Sequence, residues 1–176
     1  MLPYYILLLL PGFAYFGFMR SPSYKQADRR TLTVFFVLYF LLLALRGSSV
    51  GNDYGTYCYW FESTGNAEWS HVFQSNIEPG YFLLNKAVSV FTDNFQWFLA
   101  VSSAVILLPI LYVYRKHVED APLTILLFIN TDIFVMLFSG IRQGIAIGIG
   151  CLAFEFAREK KPIRFLITVG TALLFH

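Results

Sequence analysis

Long apolar stretches constrain the fold of this chain more than any other feature of its sequence. A bilayer core about 30 Å thick is crossed by about 20 helical residues, so these stretches predict transmembrane helices. A composition of 57% hydrophobic and 14% charged residues agrees, because soluble domains carry more charge. The sequence predicts an all-α, polytopic transmembrane bundle of about six spans, near 3–19, 31–45, 95–114, 121–139, 143–157 and 163–176.

One apolar stretch lies at each end of the chain. The first apolar stretch is as hydrophobic as a secretory signal, but no positive charge precedes it and Arg20 follows it, so we expect a retained span. The last stretch has only 14 residues, from Ile163 to His176. We therefore expect residues 1–176 to form a single transmembrane domain that is the N-terminal part of a longer chain.

The distribution of lysine and arginine predicts the orientation, because cytoplasmic connections carry an excess of these residues. The connections near 20–30, 115–120 and 158–164 hold ten of them. The connections on the other side hold only Arg46, Lys86 and Arg142. This count places the amino terminus outside and predicts that the loop 46–94 also faces outward.

The outer loop 46–94 contains an apolar segment that is too short to span a membrane. In "NIEPGYFLLNKAVSVF" (76–91), Pro79 suits the first turn of a helix, and Glu78 lies where the helix amino end favours negative charge. Asn85, Lys86 and Ser89 would form one polar face. We expect an amphipathic helix in the outer interface, followed by "TDN" (92–94) as the cap of the next span.

The segment "LFSGIRQGIAIGIG" (137–150) leaves almost no loop between the fourth and fifth spans and places Arg142 at the outer membrane boundary. Gly140, Gly144 and Gly148 recur every four residues, a spacing typical of helices that pack closely in lipid. The glycines serve either packing alone or packing around a site.

The predicted topology brings charged and aromatic residues from distant parts of the sequence to one membrane face. An arginine at the lipid boundary suggests an acidic partner or an anionic ligand, and its planar fork suits a phosphate or diphosphate. The alternative for each arginine alone is that it extends to lipid headgroups. The residues collected at this face are Arg46, Asp53, Tyr54, Glu78, Arg142 and His176.

Metal and nucleic-acid chemistry find little support in the sequence. The three histidines and the two cysteines, Cys58 and Cys151, lack metal-ligand spacing, so we expect no metal, no cofactor and two free thiols. The net charge of +2 is spread over membrane flanks, which argues against binding to nucleic acid.

Four short motifs occur in order along nearly the whole chain: "RGSSVGNDYGTY" (46–57), "EPGYFLLN" (78–85), "IRQGIA" (141–146) and the terminal "LLFH" (173–176). Their combination resembles the EpsG family of membrane proteins, which is related in role to the Wzy O-antigen and capsule polymerases. The resemblance implies polymerisation of exopolysaccharide repeat units carried on undecaprenyl diphosphate, at the outer leaflet of the bacterial cytoplasmic (inner) membrane. Members of the family are longer than this chain.

The resemblance extends to individual positions of this sequence. Asn52 departs from it, because such proteins often have threonine there. The matching positions are Gly51, Asp53 and Tyr54 in the first motif, Glu78, Pro79, Gly80 and Tyr81 in the second, Arg142, Gln143 and Ala146 in the third, and Phe175 and His176 in the last.

The implied chemistry is glycosyl transfer from a lipid diphosphate. Arg142 and Arg46 would stabilise the leaving group, and Asp53 or Glu78 would serve as general base. His176 would bind the diphosphate or exchange protons. The substrate-binding candidates are Arg46, Tyr54, Tyr57, Tyr81 and Gln143. The alternative role of the tyrosines is an aromatic belt at the membrane interface. The implied partners are lipid-linked oligosaccharide, membrane lipids and other polysaccharide-assembly proteins.

Two other classes of protein stay open. A lipid-linked sugar flippase would also use membrane arginines, but should carry charged residues at both ends and in the middle of several spans. A non-catalytic membrane subunit would explain the glycines and tyrosines, but not the clustered charges. Asp132, an ionisable residue within the predicted fourth span, stays outside the proposed site, with hydrogen bonding between helices as its simplest role.

The predicted orientation can be tested through Cys58. After replacement of Cys151 by serine, a membrane-impermeant thiol reagent should label Cys58 in intact cells, because the loop 46–94 faces outward. Labelling that requires permeabilisation would reverse the orientation.

Overall fold

All regular secondary structure in the described part of the chain is helical, which confirms the predicted all-α class. The computed structural model describes residues 23–176 and, ahead of them, Tyr5, Leu7, Leu9, Gly12, Phe13, Tyr15, Phe16 and Gly17. The predicted first span near 3–19 thus lies largely outside the described residues.

Eight α-helices and one 3₁₀ turn follow one another within residues 23–176. The 3₁₀ turn is Trp69–Phe73. The α-helices are α1 (Tyr24–Ala44), α2 (Tyr54–Asn66), α3 (Pro79–Ser89), α4 (Phe95–His117), α5 (Ala121–Ile129), α6 (Asp132–Met136), α7 (Ile141–Arg158) and α8 (Pro162–Leu173).

Helix α4 is the most membrane-like element of the described chain. Its 23 residues include a window of mean hydropathy 2.0, and among the described helices it alone is long and apolar enough to cross a bilayer. The side chain of Asn94 accepts a hydrogen bond from the Gln96 amide at 2.9 Å, so Asn94 caps the helix as the sequence predicted. Helix α4 packs against both α1 and α7.

Helix α1 begins at Tyr24, earlier than the predicted span near 31–45. The polar residues before 31, which we expected in a connection, form its first turns. Asp28 is buried there, and its carboxylate accepts a hydrogen bond from the Ala121 amide at 3.0 Å. This contact joins the start of α1 to the start of α5. With Arg29 and Arg30 in the same turns, α1 carries more charge than α4.

The predicted fourth span near 121–139 is not one continuous helix. It divides into α5 and α6 at Asn130 and Thr131. The Asn130 side chain donates to the Leu126 carbonyl at 2.7 Å, and the Thr131 hydroxyl donates to the Phe128 carbonyl at 2.7 Å. Such local side-chain bonds to the backbone compete with helix continuation. Asp132 consequently begins a new helix, and its side chain is exposed.

Aromatic packing holds this broken segment against α1. The ring of Tyr39 stacks on Phe134 with centroids 4.7 Å apart, and its hydroxyl donates to the Phe134 carbonyl at 2.6 Å. Phe128 packs edge-on against Phe35. The contacts fix the chain just before residues 137–142, so they help to position the start of α7.

Two features of the outer loop differ from expectation. Helix α3 begins at Pro79 as predicted, but Asn85, expected on its polar face, is completely buried with Tyr81 and Phe82. The helix therefore packs into the protein, and an interfacial position is not confirmed. Helix α2 was not predicted, because its mixed sequence lacks a long apolar stripe.

The last predicted span near 163–176 is a shorter helix. Helix α8 ends at Leu173, packs on α7 and has no buried side chain. The described helices thus establish the helical class of the protein, while the six-span topology remains a prediction.

Glycine spacing in α7 serves close packing against α4. A Cβ atom on Gly148 would lie 2.7 Å from the Ile106 carbonyl oxygen, and one on Gly144 would lie 2.7 Å from Cδ2 of Leu137 and 3.0 Å from Cδ1 of Ile106. The Ile106 backbone cannot move aside as the end of a side chain can, so glycine is required more strictly at Gly148 than at Gly144. The sequence-based prediction of close helix contact is confirmed at these two positions.

Gly148→Ala should therefore destabilise the protein by about 1–3 kcal/mol, the usual cost of overpacking. Gly150 is the matched control, because a Cβ atom there meets nothing within 4 Å. Gly150→Ala should be neutral, or stabilising by up to about 1 kcal/mol through helix propensity. Thermal unfolding in detergent measures both, and equal midpoints for the two variants would contradict the packing argument.

Candidate functional site

An ion pair between Glu78 and Arg142 lies at the centre of the candidate site. Glu78 immediately precedes α3, and Arg142 is the second residue of α7. Nη1 of Arg142 donates to both carboxylate oxygens of Glu78, at 2.6 Å and 2.5 Å. Both side chains are 27% exposed, so the pair can be reached from outside. The contact joins the second and third motifs across 64 residues of sequence.

Aromatic residues of α2 surround the guanidinium of Arg142. The carbon at its centre lies 4.7 Å from the centroid of the Trp60 ring, within the range of a cation–π interaction. Tyr57, in the preceding turn, is buried and packs edge-on against Trp60. These rings hold the cation in place. Its Nε atom is buried and has no hydrogen-bond partner among the described residues.

The electrostatics of the pair decide which form of Glu78 is present. Burial by itself would raise the pKa of the Glu78 carboxyl, but the hydrogen bonds and charge of Arg142 outweigh it, and the pKa lies below its usual value. Glu78 is therefore a carboxylate at neutral pH. While it stays paired, it is a weaker base than a free carboxylate.

The carboxyl end of the described chain closes over the start of α3. The Gly80 amide donates to the Leu174 carbonyl at 2.8 Å, and a Cβ atom on Gly80 would lie 2.8 Å from the same oxygen. Only glycine allows this approach. It brings Nδ1 of His176 to 3.9 Å from Oε1 of Glu78, with the His176 side chain 55% exposed.

The first motif is attached to the segment before Arg142. Gly51 adopts φ 93°, and a Cβ atom there would lie 2.1 Å from the Phe138 carbonyl oxygen. The Asn52 amide donates to the Ser139 hydroxyl at 3.1 Å. The loop at 51–53 thus lies directly against the residues that lead into α7.

Arg46 is a buried cation in the same region. It is 5% exposed, and its Nη1 donates to the Leu137 carbonyl at 3.2 Å, while its Nε lacks a partner. Burial lowers its pKa, and nearby tyrosine hydroxyls such as Tyr57 act in the opposite direction. No carboxylate pairs with Arg46 among the described residues. An arginine in this state favours an anionic ligand nearby.

The other predicted site residues fall into two groups. Asp53 is exposed at the start of α2 and Gln143 is exposed on α7, and neither side chain has an ion pair or hydrogen bond among the described residues. Tyr81 has no exposed surface and Tyr57 only 4%, and burial raises the pKa of both. These two rings therefore support the site by packing. Tyr54 is half-buried against Phe95.

Sequence reasoning missed Trp60, which lies in none of the motifs. The feature of the sequence that could have identified Trp60 is its spacing of three residues from Tyr57, which places both rings on one face of α2. It also missed the ion pairs at the opposite end of α7, because those partners are far apart in sequence. No group of three potential metal ligands was found among the described residues.

The second charge cluster surrounds Glu155, a residue of α7 that is 1% exposed. Lys116 pairs with Glu155 and lies 2.5 Å from Glu159, while Nε2 of His117 lies 2.5 Å from Glu155. Nη1 of Arg158 lies 2.8 Å from Nδ1 of His117, which extends the cluster by one further cationic side chain. Lys116 and Lys161 lower the pKa of Glu159 to about 2.

These observations define a helical protein of membrane type with a partly accessible arginine–carboxylate site at one end. The sequence model of the EpsG family matches residues 29–176, and the chain belongs to that family. Membership implies a polymerase-like function related to exopolysaccharide, and together with the apolar helix α4 it indicates a membrane protein. Neither the curated proteins nor the solved structures gave a significant match.

The contact between Glu78 and Arg142 should appear as a coupling energy in a double-mutant cycle. Glu78→Gln and Arg142→Gln should each destabilise the protein, and their effects should be non-additive by about 0.5–1 kcal/mol, because both groups are partly exposed. Since the pKa of Glu78 is lowered on folding, this stability is present above about pH 4.3 and is lost as the pH falls through the folded pKa.

Unfolding in mixed micelles at several pH values measures the cycle. Glu68→Gln is the control, because Glu68 is exposed in the same loop and its carboxylate accepts a hydrogen bond from the nearby Ser70 hydroxyl, with no ion pair among the described residues. Additive effects at neutral pH would show that the pair contributes no stability.

Proposed function

We propose that this protein polymerises lipid-linked oligosaccharide repeat units, carried on undecaprenyl diphosphate, at the outer face of the bacterial cytoplasmic membrane. The product would be an exopolysaccharide, a capsule or an O-antigen. The proposal includes the six-span topology with the amino terminus outside. The observation that supports it best is the ion pair between Arg142 and Glu78, which connects α7 to the start of α3. The last motif also contacts the start of α3, through the Leu174 carbonyl.

The proposed reaction requires positive charge at the leaving group. An acceptor hydroxyl oxygen attacks C1 of the donor sugar, and the bond from C1 to the diphosphate oxygen breaks. The electron pair of that bond leaves with the diphosphate. Arg142 and Arg46 are proposed to stabilise the charge that develops there. Arg46 is suited to this role because it is buried and has no carboxylate partner among the residues that the structure describes.

The proton of the acceptor hydroxyl passes to a carboxylate. When Arg142 turns toward the diphosphate, Glu78 loses its strongest partner and its pKa returns toward the usual value, about 4.3, so it becomes a better base. Binding of the substrate would thereby activate Glu78. Asp53 is the second candidate, because it is exposed and unpaired among the described residues.

Residues at the rim of the site would bind the rest of the substrate. His176 is close enough to Glu78 to exchange a proton with it or to bind the diphosphate. Tyr54 and Gln143 have accessible surface for contacts with sugar. Tyr57 and Tyr81 would act indirectly, by holding Trp60 and Arg142 in position.

A lipid-linked sugar flippase is the second candidate function. One observation favours it: the buried Glu155 with Lys116 and His117 places a second charged group at the other end of α7. A transporter needs such groups on both sides of the membrane. A polymerase uses only the outer site with Arg142 and Glu78. Substitution of the cluster around Glu155 should therefore impair a flippase but not a polymerase.

The assay for polymerase activity uses purified protein in liposomes with undecaprenyl-diphosphate oligosaccharide. We expect a ladder of longer products without nucleotide sugar and in the presence of a chelator. Arg142→Lys should reduce the rate roughly 100-fold, because lysine keeps the charge but lacks the planar fork. Arg164→Lys is the matched control and should keep full activity.

Four results would contradict parts of this proposal. Product that forms only with added nucleotide sugar would assign the protein to another class of glycosyltransferase. A ladder that vanishes with chelator and returns with magnesium would show a metal requirement. Unchanged polymer length with Arg142→Lys would indicate that Arg142 only contacts lipid headgroups. Transfer of labelled lipid-linked sugar across the liposome membrane without any ladder would favour the flippase.

A further inference from the structure

A continuous groove lies between α1 and α4. Its first part is a cavity of about 400 Å³ whose lining includes Arg29, Tyr112, Arg115 and Lys116. Its second part is a cavity of about 240 Å³ lined by apolar residues only, among them Val37, Phe40 and Ala104. Leu108 and Leu111 line both cavities, so the two parts adjoin. The groove is cationic at one end and apolar along the remainder.

The cationic end carries positive charge that no described acidic side chain neutralises. Lys116 is paired with Glu155 and Glu159. Arg29 donates from Nε to the Arg115 carbonyl at 3.0 Å, which fixes the two helices beside each other. Neither Arg29 nor Arg115 takes part in an ion pair among the described residues, and both side chains are exposed. Two guanidinium groups at the mouth of an apolar groove suit a phosphate.

The length of the groove matches one leaflet of a membrane. Arg29 and Phe40 are 11 residues apart on α1, which at 1.5 Å per residue is about 16 Å. Half of a bilayer core about 30 Å thick is about 15 Å. An acyl chain whose headgroup lies at Arg29 would therefore reach the end of the apolar part.

The groove is separate from the Glu78–Arg142 site. Helices α1 and α4 are antiparallel, because the Gln96 side chain at the start of α4 donates to the Ala44 carbonyl at the end of α1. Lys116, at the other end of α4, pairs with Glu155 near the end of α7, whereas Arg142 lies at the start of α7. The basic mouth is thus at the end of the bundle far from Arg142. The lysine and arginine count assigns that end to the cytoplasmic side, where anionic lipids are abundant.

We propose that this groove binds one anionic phospholipid. Its phosphate lies between Arg29 and Arg115, and one acyl chain lies along Leu108, Phe40 and Ala104. The proposal does not depend on polymerase activity. It requires only that the protein be in a membrane with the basic end at the headgroups.

The experiment is native mass spectrometry of the purified protein in detergent, with phosphatidylglycerol and phosphatidylcholine of identical acyl chains at equal concentration. We expect one tightly held phosphatidylglycerol and little phosphatidylcholine. Arg115→Gln should lower phosphatidylglycerol occupancy roughly tenfold, because one of two charge-assisted contacts is lost. Arg115→Lys should keep most of the binding, which separates loss of charge from misfolding.

Two further variants test the remaining parts of the groove. The pair Lys160→Gln and Arg164→Gln removes two positive charges from the same end of the protein, away from the groove, and should leave occupancy unchanged. Ala104→Phe fills the apolar part and should lower retention of the lipid with both arginines intact. Each variant is compared by circular dichroism, so that loss of helix is recognised.

Several outcomes would overturn the proposal. Equal occupancy by the two phospholipids would show that charge does not select the lipid. An equal loss in the Lys160 and Arg164 control would show a general effect of surface charge. Displacement of the lipid by millimolar inorganic phosphate would assign the basic mouth to free phosphate. Unchanged retention in Ala104→Phe would show that the groove does not hold the acyl chain, as would be the case if another helix of the protein covers it.

Discussion

Close packing of α7 on α4 is the constraint on which the rest of the described structure depends. Gly148 faces the Ile106 carbonyl so directly that no side chain fits between the two backbones. This approach aligns α7 with α4, which among the described helices is the one long and apolar enough to cross a bilayer. It also fixes the two ends of α7 at once, with Arg142 at one end and Glu155 at the other. The position of each charge cluster therefore follows from a contact that carries no charge.

Close backbone contact at a glycine also occurs where loops meet the helices. Gly51 approaches the Phe138 carbonyl and Gly80 approaches the Leu174 carbonyl, each too closely for a Cβ atom. Gly51 attaches the loop of Asp53 to the segment before α7, and Gly80 attaches the start of α3 to the end of α8. Two of the motif glycines thus act as points of backbone contact, and the charged residues beside them are held in place by those contacts. Ion pairing alone would not achieve this, because a partly exposed pair contributes little stability.

Local signals in the sequence predicted the parts of the fold that depend on neighbouring residues. The cap at Asn94, the helix start at Pro79 and the apolar helix α4 each follow from a few adjacent side chains. The helix break at Asn130 and Thr131 was not predicted, because the hydrophobic residues on both sides suggest one continuous helix. The two local hydrogen bonds that accompany the break are not evident from that pattern. Burial of Asn85 and pairing of Lys116 with Glu155 depend on contacts between elements distant in sequence. Hydrophobic periodicity gives no information about such contacts. In the candidate site, the sequence predicted that Arg142 and Glu78 lie at one face, but their direct contact is known only from the structure. The chemical roles of both residues remain proposals.

The two arginines of the candidate site differ in a way that divides their proposed tasks. Arg46 is buried and pairs with no carboxylate in the described part of the chain, so its charge favours any anion that reaches it. Arg142 is partly exposed and already paired, so in the proposed reaction a diphosphate would compete with Glu78 for it. That competition has a chemical consequence, because the carboxylate released from Arg142 regains basicity when the leaving group arrives. A site with two unpaired arginines would bind the diphosphate more tightly, but it would not couple binding to the appearance of a base.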